Sequence, residues 1–464
     1  MSTDRGAGGV VPSTALLTDH YELTMVRAAL RSGVAHRRAV FEVFARQLPS
    51  GRRYGVVAGT GRLLDALERF RFGAADLEFL DRAGILDDPT REFLQAYRFG
   101  GSIWGYAEGD CYFPGSPILI VEGGFAEAVV LETLALSVLN HDSAIASAAS
   151  RMVTAAVGRP LIEMGSRRTH ERAAVAAARA AYIAGFTATS NLQAGSEYGV
   201  PTSGTSAHAF TLIHDDERRA FAAQLDALGT DTTLLADTYD VAAAIGAGVD
   251  LAGPGLGAVR IDSGDLAAVA NEVRAQLDGL GATKTRIILT GDLDEYSIAA
   301  LAADPVDGYG VGTSLVTGSG APTAALVYKL VARGSADDGD RAGGSDPLLP
   351  VAKRSVGKPS RGGRKWAVRQ LDAAGTAVTE LIRVAEAEPD GGERGRPVLR
   401  LLVRDGEIVG REPLAAARER HRAAVAELPG YARQLSRGYP AIPTVFEPRR
   451  RLTAPRAGSG GAEP

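Results

Sequence analysis

Nine side chains stand where apolar runs break off into small polar residues: the carboxylates Glu163, Asp237, Asp262, Asp265 and Asp292, the guanidinium groups of Arg167, Arg168 and Arg260, and the imidazole of His208. Carboxylates so placed suit magnesium, which takes hard oxygen ligands together with substrate phosphates, and they suit ribose hydroxyls. Arginine forks grip carboxylate or phosphate. The small residues Gly291, Gly312 and Thr313 offer backbone N–H groups that cradle phosphate at helix N-termini. Anion-binding and metal-binding groups at one place imply a phosphorylated substrate. A single strand-end aspartate reads equally as a helix N-cap; five such carboxylates shift the balance toward a site. No Walker-A pattern occurs, so ATP would bind by another route. His208 closes Ser203-Gly204-Thr205-Ser206-Ala207-His208. An imidazole with its ordinary pKa of ~6.5 can act as base, ligand or phosphoryl acceptor. On pattern alone this one reads as a buried histidine satisfied by a neighbouring hydroxyl.

Such groups converge only if strands run parallel and end together. From residue 160 onward eight strand-like runs are expected: 160–165, 185–190, 201–208, 232–238, 258–263, 285–292, 307–313 and 325–331. Strands buried on both faces read as continuous apolar runs, and their C-terminal loops carry the chemistry. Leu266, Val269, Val273 and Leu277 recur at helical spacing between two of them, after Ser263 and before a stop at Gly279. Eight parallel strands point to a closed barrel with its site at the C-terminal mouth. The spacing makes it irregular, since only about ten residues join the second and third runs. An open doubly wound sheet is the alternative, but no Gly-x-Gly-x-x-Gly opens an early strand–helix turn. Before the barrel, Thr18 or Asp19 caps an amphipathic helix carrying Tyr21, Leu23, Val26 and Leu30, and short strands follow at 38–44, 101–109 and 118–124. Ala126 to Arg151 reads as a helical bridge into the barrel.

The 464 residues, 45% of them hydrophobic, suffice for two or three domains. The expected division is an N-terminal α/β sandwich domain at 1–130, the barrel at 131–332, a mobile loop at 333–348, a C-terminal region at 349–452 packing back on the N-terminal domain, and a disordered tail at 453–464. Lys353 to Arg369 is basic and glycine-rich, suited to phosphates or to a solvated hairpin. A net charge of −4 points to no nucleic-acid or membrane partner, and a single cysteine, Cys111, excludes an intramolecular disulfide. With no signal pattern at the start and no uninterrupted apolar run near the ~18 residues of a membrane span, the expected compartment is the cytoplasm.

Eight motifs in order carry a family resemblance: Leu17-Thr18-Asp19-His20-Tyr21-Glu22-Leu23, Glu163-Met164-Gly165-Ser166-Arg167-Arg168, Thr189-Ser190-Asn191, Gly204-Thr205-Ser206-Ala207-His208, Asp237-Thr238-Tyr239, Arg260-Ile261-Asp262-Ser263-Gly264-Asp265-Leu266, Gly310-Val311-Gly312-Thr313, and Lys353 through Arg369. Along nearly its whole length the chain resembles the nicotinate phosphoribosyltransferases. The resemblance implies the type II phosphoribosyltransferase fold, an α/β architecture in which an irregular α/β barrel sits beside an N-terminal α/β sandwich domain, here with a C-terminal extension. It implies joining of nicotinate to phosphoribosyl pyrophosphate, with magnesium and with ATP hydrolysis coupled through a phosphorylated histidine, and so overturns the bland reading of His208.

By the same resemblance, Tyr21 stacks on nicotinate, while Arg167 and Arg260 neutralise its carboxylate or the adjacent phosphate. Gly291, Gly312 and Thr313 cradle the 5′-phosphate. Asp237, Asp262 and Asp265 hold ribose hydroxyls or magnesium, the metal falling to Asp262 and Asp265. His208, Asp262 and Arg260 form the catalytic set, and Glu163, Gly165, Arg168, Ser190, Asn191, Thr205, Ser263 and Asp292 complete the substrate contacts. A homodimer is implied, in which the N-terminal domain of one subunit closes the barrel mouth of the other, with Tyr21 acting either in its own subunit or across the interface. Ser166 stands where the family more often has Leu or Thr, and 334–346 reads as a local insertion. Quinolinate and nicotinamide phosphoribosyltransferases, and a non-catalytic barrel sensing a phosphorylated ligand, are the alternatives. The first needs a more basic pocket and no ATP, and the second no carboxylate-binding arginine.

Overall fold

Leu134, Ala135, Val138 and Leu139, followed by an alanine- and serine-rich run, form the 24-residue helix Glu132–Ala155. The computed structural model in which it lies describes residues 12–335, 347–353, 360–387 and 394–447. Most of the expected mobile loop, residues 354–359 of the basic stretch, and the tail lie outside the described residues. The helix's first half packs into a core with strands Arg38–Ala45 and Leu119–Gly124. Its second half, through Ile145, Ala146, Ala149 and Met152, packs into a separate core with the parallel strands. Together with the short helix Phe125–Val129 it is apolar and long enough to cross a membrane, yet 67% of its most apolar window is buried within the protein. Asp142 interrupts the apolar run and is wholly buried, paired with Arg62 at 2.7 Å. Ser147 Oγ accepts the Val56 N–H at 2.9 Å and Ser143 Oγ the Ala58 N–H at 3.2 Å, tying the helix to the neighbouring chain where bulkier side chains would hold them apart.

Two principal sheets flank this helix. The first is antiparallel and seven-stranded, in the order Leu349–Pro350, Leu326–Arg333, Arg38–Ala45, Leu119–Gly124, Ser102–Tyr106, Leu399–Arg404 and Glu407–Ile408. The second is parallel and six-stranded, in the order Ala188–Thr189, Leu161–Glu163, Gly308–Val311, Arg286–Leu289, Ala258–Ile261 and Thr233–Leu235. A smaller sheet of four strands, Gly395–Pro397, Lys365–Leu371, Ala377–Val384 and Thr444–Phe446, covers part of the molecule beside them.

Two of the eight expected barrel strands are corrected. Residues 201–208 contribute a single bridge, Thr202 to Thr189, and His208 opens the short helix His208–Leu212 instead of ending a strand. Apart from Pro201 and Ala207 this run has no apolar side chain to bury, so beyond the Thr202 bridge little holds it in the sheet. Leu326–Arg333 joins the antiparallel sheet beside Arg38–Ala45. Lys329 and Arg333 interrupt its apolar face, the mark of a half-covered strand rather than one buried on both sides. Among the described residues no strand pair closes the parallel sheet between Thr202 and Thr233, and it forms a half-barrel. The expected helix after Ser263 is Leu266–Gly279, capped by Asp265, which accepts the Ala268 N–H at 3.2 Å.

The sheets are joined by buried charge. Arg369, wholly buried, pairs with Asp110 at 3.0 Å and Glu380 at 2.9 Å and donates to the Cys111 carbonyl at 2.7 Å. Glu380 accepts in turn from the Tyr106 and Ser116 hydroxyls. Removing one member of such a set strands the others without water. Arg369→Ala should therefore lower the unfolding free energy by about 3–5 kcal/mol, measurable by denaturant titration.

Candidate active site

The parallel strands end side by side, and each end turns into a loop bearing one or more polar groups. Asp237, two residues past Thr233–Leu235, accepts the Asp262 N–H at 2.8 Å and the Ser263 hydroxyl at 2.7 Å, both on one carboxylate oxygen. That oxygen ties its loop to the loop that follows Ala258–Ile261. Asp262 Oδ1 accepts from the Thr290 hydroxyl at 2.7 Å, tying in the next loop. Its Oδ2 faces His208 Nε2 at 4.0 Å, too long for a hydrogen bond. His208 Nδ1 lies 3.1 Å from Thr238 Oγ1. The imidazole is therefore next to a hydroxyl, as its pattern suggested, but half-exposed at the mouth instead of buried.

Arg260 Nη1 donates to Thr205 Oγ1 at 2.6 Å, and its Nε is buried with no acceptor. Burial lowers the guanidinium's pKa, opposed by the nearby Asp262 and Asp237 carboxylates. Arg167 and Arg168 are exposed and make no ion pair among the described residues. All three arginines, with Asp262, Thr290, Gly291, Asp292, Gly312 and Thr313, line one cleft of about 240 Å³. Gly291 is required there: at φ +111° its missing Cβ would lie 2.5 Å from the Asp262 carbonyl oxygen. Asp292 follows in the left-handed region, φ 49°, a conformation that side chains rarely accept. Gly312 leads into a helix of only one turn, Thr313–Val316, so its phosphate cradle would rest on local N–H groups and not on a long helix dipole.

Glu163 plays another part. It is wholly buried, and its two oxygens accept from the Gly165 N–H and the Thr189 hydroxyl. Burial raises its pKa against those bonds. It pins the start of the Gly165–Arg168 turn from within the core. Gly165 allows the close approach, since a Cβ would meet Val316 at 2.2 Å. Ser190 N–H donates to the Glu163 carbonyl at 2.8 Å. Asn191 caps Leu192–Tyr198 through Ala194 N–H and donates to Ser166 Oγ at 2.9 Å, so the unusual serine anchors the arginine turn. A larger groove of about 560 Å³ between Leu67–Arg71 and Asp405–Arg411 lacks this convergence, and its Arg411 is already paired with Asp65 and Glu68.

With this mouth in view, comparison with known proteins is decisive. A nicotinate phosphoribosyltransferase of Mycobacterium tuberculosis is 59% identical over 437 residues, covering 92% of this chain and 94% of that protein. The chain belongs to the nicotinate phosphoribosyltransferase family. The family's N-terminal domain matches residues 16–140. A nicotinate phosphoribosyltransferase of Bacillus subtilis is 38% identical, covering 69% of this chain and 67% of its own. The crystal structure of human nicotinic acid phosphoribosyltransferase superimposes with a TM-score of 0.78 at 27% identity, over 93% of this chain and 97% of that one.

Of the residues to which the resemblance assigned roles, the cleft gathers Arg167, Arg168, Arg260, Asp262, Gly291, Asp292, Gly312 and Thr313. Thr205, His208, Asp237 and Ser263 join it through the bonds described. Asp265 is occupied in capping its helix. Tyr21 does not line this cleft; it stands 47% exposed on helix His20–Arg31, its phenol pushed up to about 12 by burial beside Glu132 and Glu22. Thr238, Thr290 and Met164 were not singled out, although Thr238 lies within the Asp237-Thr238-Tyr239 motif and Thr290 directly precedes Gly291.

Glu22, one residue beyond Tyr21, accepts from Thr133 N–H at 2.9 Å, the Thr133 hydroxyl at 2.7 Å, the Asp19 N–H at 3.3 Å and the Thr18 hydroxyl, and so locks the Tyr21 turn to the long helix. Burial raises its carboxyl from 4.5 to about 7, against the bonds from Thr133 and Asp19. A carboxyl raised in the folded state contributes stability that is full below about 4.5 and lost as pH rises through about 7. Across that window the wild type should lose stability relative to Glu22→Gln, as read by denaturation midpoints at stepped pH.

Proposed function

We propose that this chain transfers the phosphoribosyl group of phosphoribosyl pyrophosphate to nicotinate, giving nicotinate mononucleotide and pyrophosphate, the first step of NAD salvage from nicotinate. ATP hydrolysis is coupled to it through phosphorylated His208. The observation that carries this reading is the mouth itself: unpaired arginines, a carboxylate and a half-exposed imidazole around one polar cleft. Nicotinate's ring nitrogen is already a free nucleophile, so no general base is needed. The barrier lies in the cationic, oxocarbenium-like ribose formed as pyrophosphate departs, and pre-placed carboxylates with water excluded lower it. Asp262, held from both sides by Asp237 and Thr290, is the carboxylate fixed to do so. Arg260 and Arg167 take the nicotinate carboxylate or the adjacent phosphate, and the turns at Gly291 and Gly312-Thr313 take the 5′-phosphate.

The donor set bears on magnesium. Among the described residues no three His, Cys, Asp or Glu side chains converge as a metal cage. Magnesium commonly takes one or two protein carboxylates and completes its shell with substrate phosphates and water. Asp262 and Asp265 each have one oxygen engaged, by the Thr290 hydroxyl and the Ala268 N–H respectively, and each would have the other left for the ion. When bound, the ion would draw charge from the departing pyrophosphate.

The reading also includes a cytoplasmic homodimer. Leu192, Leu212, Ile213 and Tyr239 lie 60–82% exposed in the short helices and turns that follow the parallel strands, and Leu17 and Tyr21 are exposed at the N-terminal helix. Covering one set with the other from a second copy would bury both and bring Tyr21 to the partner's cleft.

Nicotinate mononucleotide formation with magnesium is expected to be faster with ATP, and His208→Ala to lose that stimulation; no product from nicotinate under any condition would sink the reading. After subunit exchange, a mixture of inactive Tyr21→Ala and His208→Ala proteins should regain activity, and a mixture that stays inactive counts against sharing of Tyr21.

A further inference from the structure

The motif that holds Asp237 also holds a hydroxyl to which no role has been given. Thr238 is half-buried, and its Oγ1 lies 3.1 Å from His208 Nδ1, its sole hydrogen-bond partner among the described residues. The ring's other nitrogen, Nε2, looks toward Asp262 at 4.0 Å, beyond hydrogen-bond range, and Asp262 is itself steadied by Thr290 at 2.7 Å. Two threonines thus bracket the pair: one fixes the imidazole and the other the carboxylate.

This arrangement distinguishes the two ring nitrogens. Nδ1 is covered by the Thr238 hydroxyl, and Nε2 is left facing the mouth. A neutral imidazole carries one proton, and the unprotonated nitrogen is the nucleophile. With the proton on Nδ1, donated to Thr238 Oγ1, the Nε2 lone pair is free to attack.

We infer that Thr238 is a positioning residue for phosphoryl transfer to His208, its hydroxyl accepting the Nδ1–H bond that leaves Nε2 as the acceptor nitrogen. This rests on the proposed phosphohistidine. In the step, the Nε2 lone pair forms a bond to the γ-phosphorus of ATP. The bond from that phosphorus to the β,γ-bridging oxygen breaks, and its electron pair leaves with ADP. The proton stays on Nδ1 of a ring that has become cationic. The Nδ1–H···Oγ1 bond is therefore charge-assisted in the transition state and only neutral before it, so the hydroxyl favours the transition state over the ground state.

The test is single-turnover labelling of the full-length protein with γ-labelled ATP and magnesium, counting acid-labile, base-stable label, for the wild type, Thr238→Val, Thr238→Ser and His208→Ala. Loss of a charge-assisted bond should slow labelling of Thr238→Val by roughly tenfold. The ATP concentration giving half-maximal rate should stay within about twofold, since the bond acts on the step and not on binding. Thr238→Ser, which keeps the hydroxyl, should label within about threefold of wild type, a rescue that a purely space-filling role for the threonine methyl would not produce. Thr238→Val labelling at the wild-type rate, or Thr238→Ser as slow as Thr238→Val, overturns the inference while leaving the phosphohistidine intact. Label persisting in His208→Ala, or none in the wild type, overturns the phosphohistidine and this inference with it.

Discussion

The helix Glu132–Ala155 is the constraint on which the rest of the structure depends. One half belongs to the antiparallel sheet's core and the other to the core of the parallel strands, so neither sheet can shift without disturbing the other's packing. Its composition changes to match. Leucine and valine face the antiparallel sheet, while alanine and serine bring helix Glu171–Ile183 and strand Gly55–Val56 close on the other side. Protein interiors are packed as densely as organic crystals, so such a shared helix transmits position as well as stability. It reaches the first helix too, through the bonds from Thr133 to Glu22.

From that frame the parallel strands deliver their ends to one mouth, but strand order alone would leave the loops there loose. Short acidic side chains close the gap by accepting hydrogen bonds from the neighbouring loop. Asp237 reaches the Asp262 loop, Asp262 reaches Thr290, and Glu163 reaches both its own turn and Thr189. Parallel neighbours favour such ties because equivalent loops start level with one another. Carboxylates at strand ends therefore divide into two kinds here. Glu163 has both oxygens engaged in holding the mouth together and Asp237 has one, whereas Asp262 keeps one oxygen turned toward His208 and the cleft.

The arginines divide in the same way. Arg369, Arg179 and Arg151 are buried and paired with carboxylates, where they join parts of the fold. Arg167 and Arg168 are exposed at the cleft without such partners, and Arg260 has only a threonine hydroxyl and a buried, unsatisfied Nε. A buried guanidinium nitrogen without an acceptor is costly, which applies to Arg260; Arg167 and Arg168 are solvated and free to receive an anion, which is the basis for proposing these three, and not the paired ones, as anion-binding groups.

Much of this was legible from the chain alone. The apolar runs ending at Glu163, Asp262 and Asp292 marked buried parallel strands, and the Asp19 and helical 266–279 patterns marked capped helices, because burial periodicity and capping are local properties. The motifs around Arg167, Arg260 and His208 were singled out by the family resemblance and not by periodicity. Tertiary structure decided what each polar group does there. Whether Glu163 met water or a neighbouring N–H, whether 201–208 paired along its length or touched the sheet at Thr202 alone, and which sheet took Leu326–Arg333 all turned on partners distant in sequence. Thr238 carries no periodic signal, and its approach to His208 exists only because 30 residues of intervening chain fold to bring the two loops together. Spacing along a chain records what a residue can bury; what it can hydrogen-bond is settled by which surfaces the cores press together.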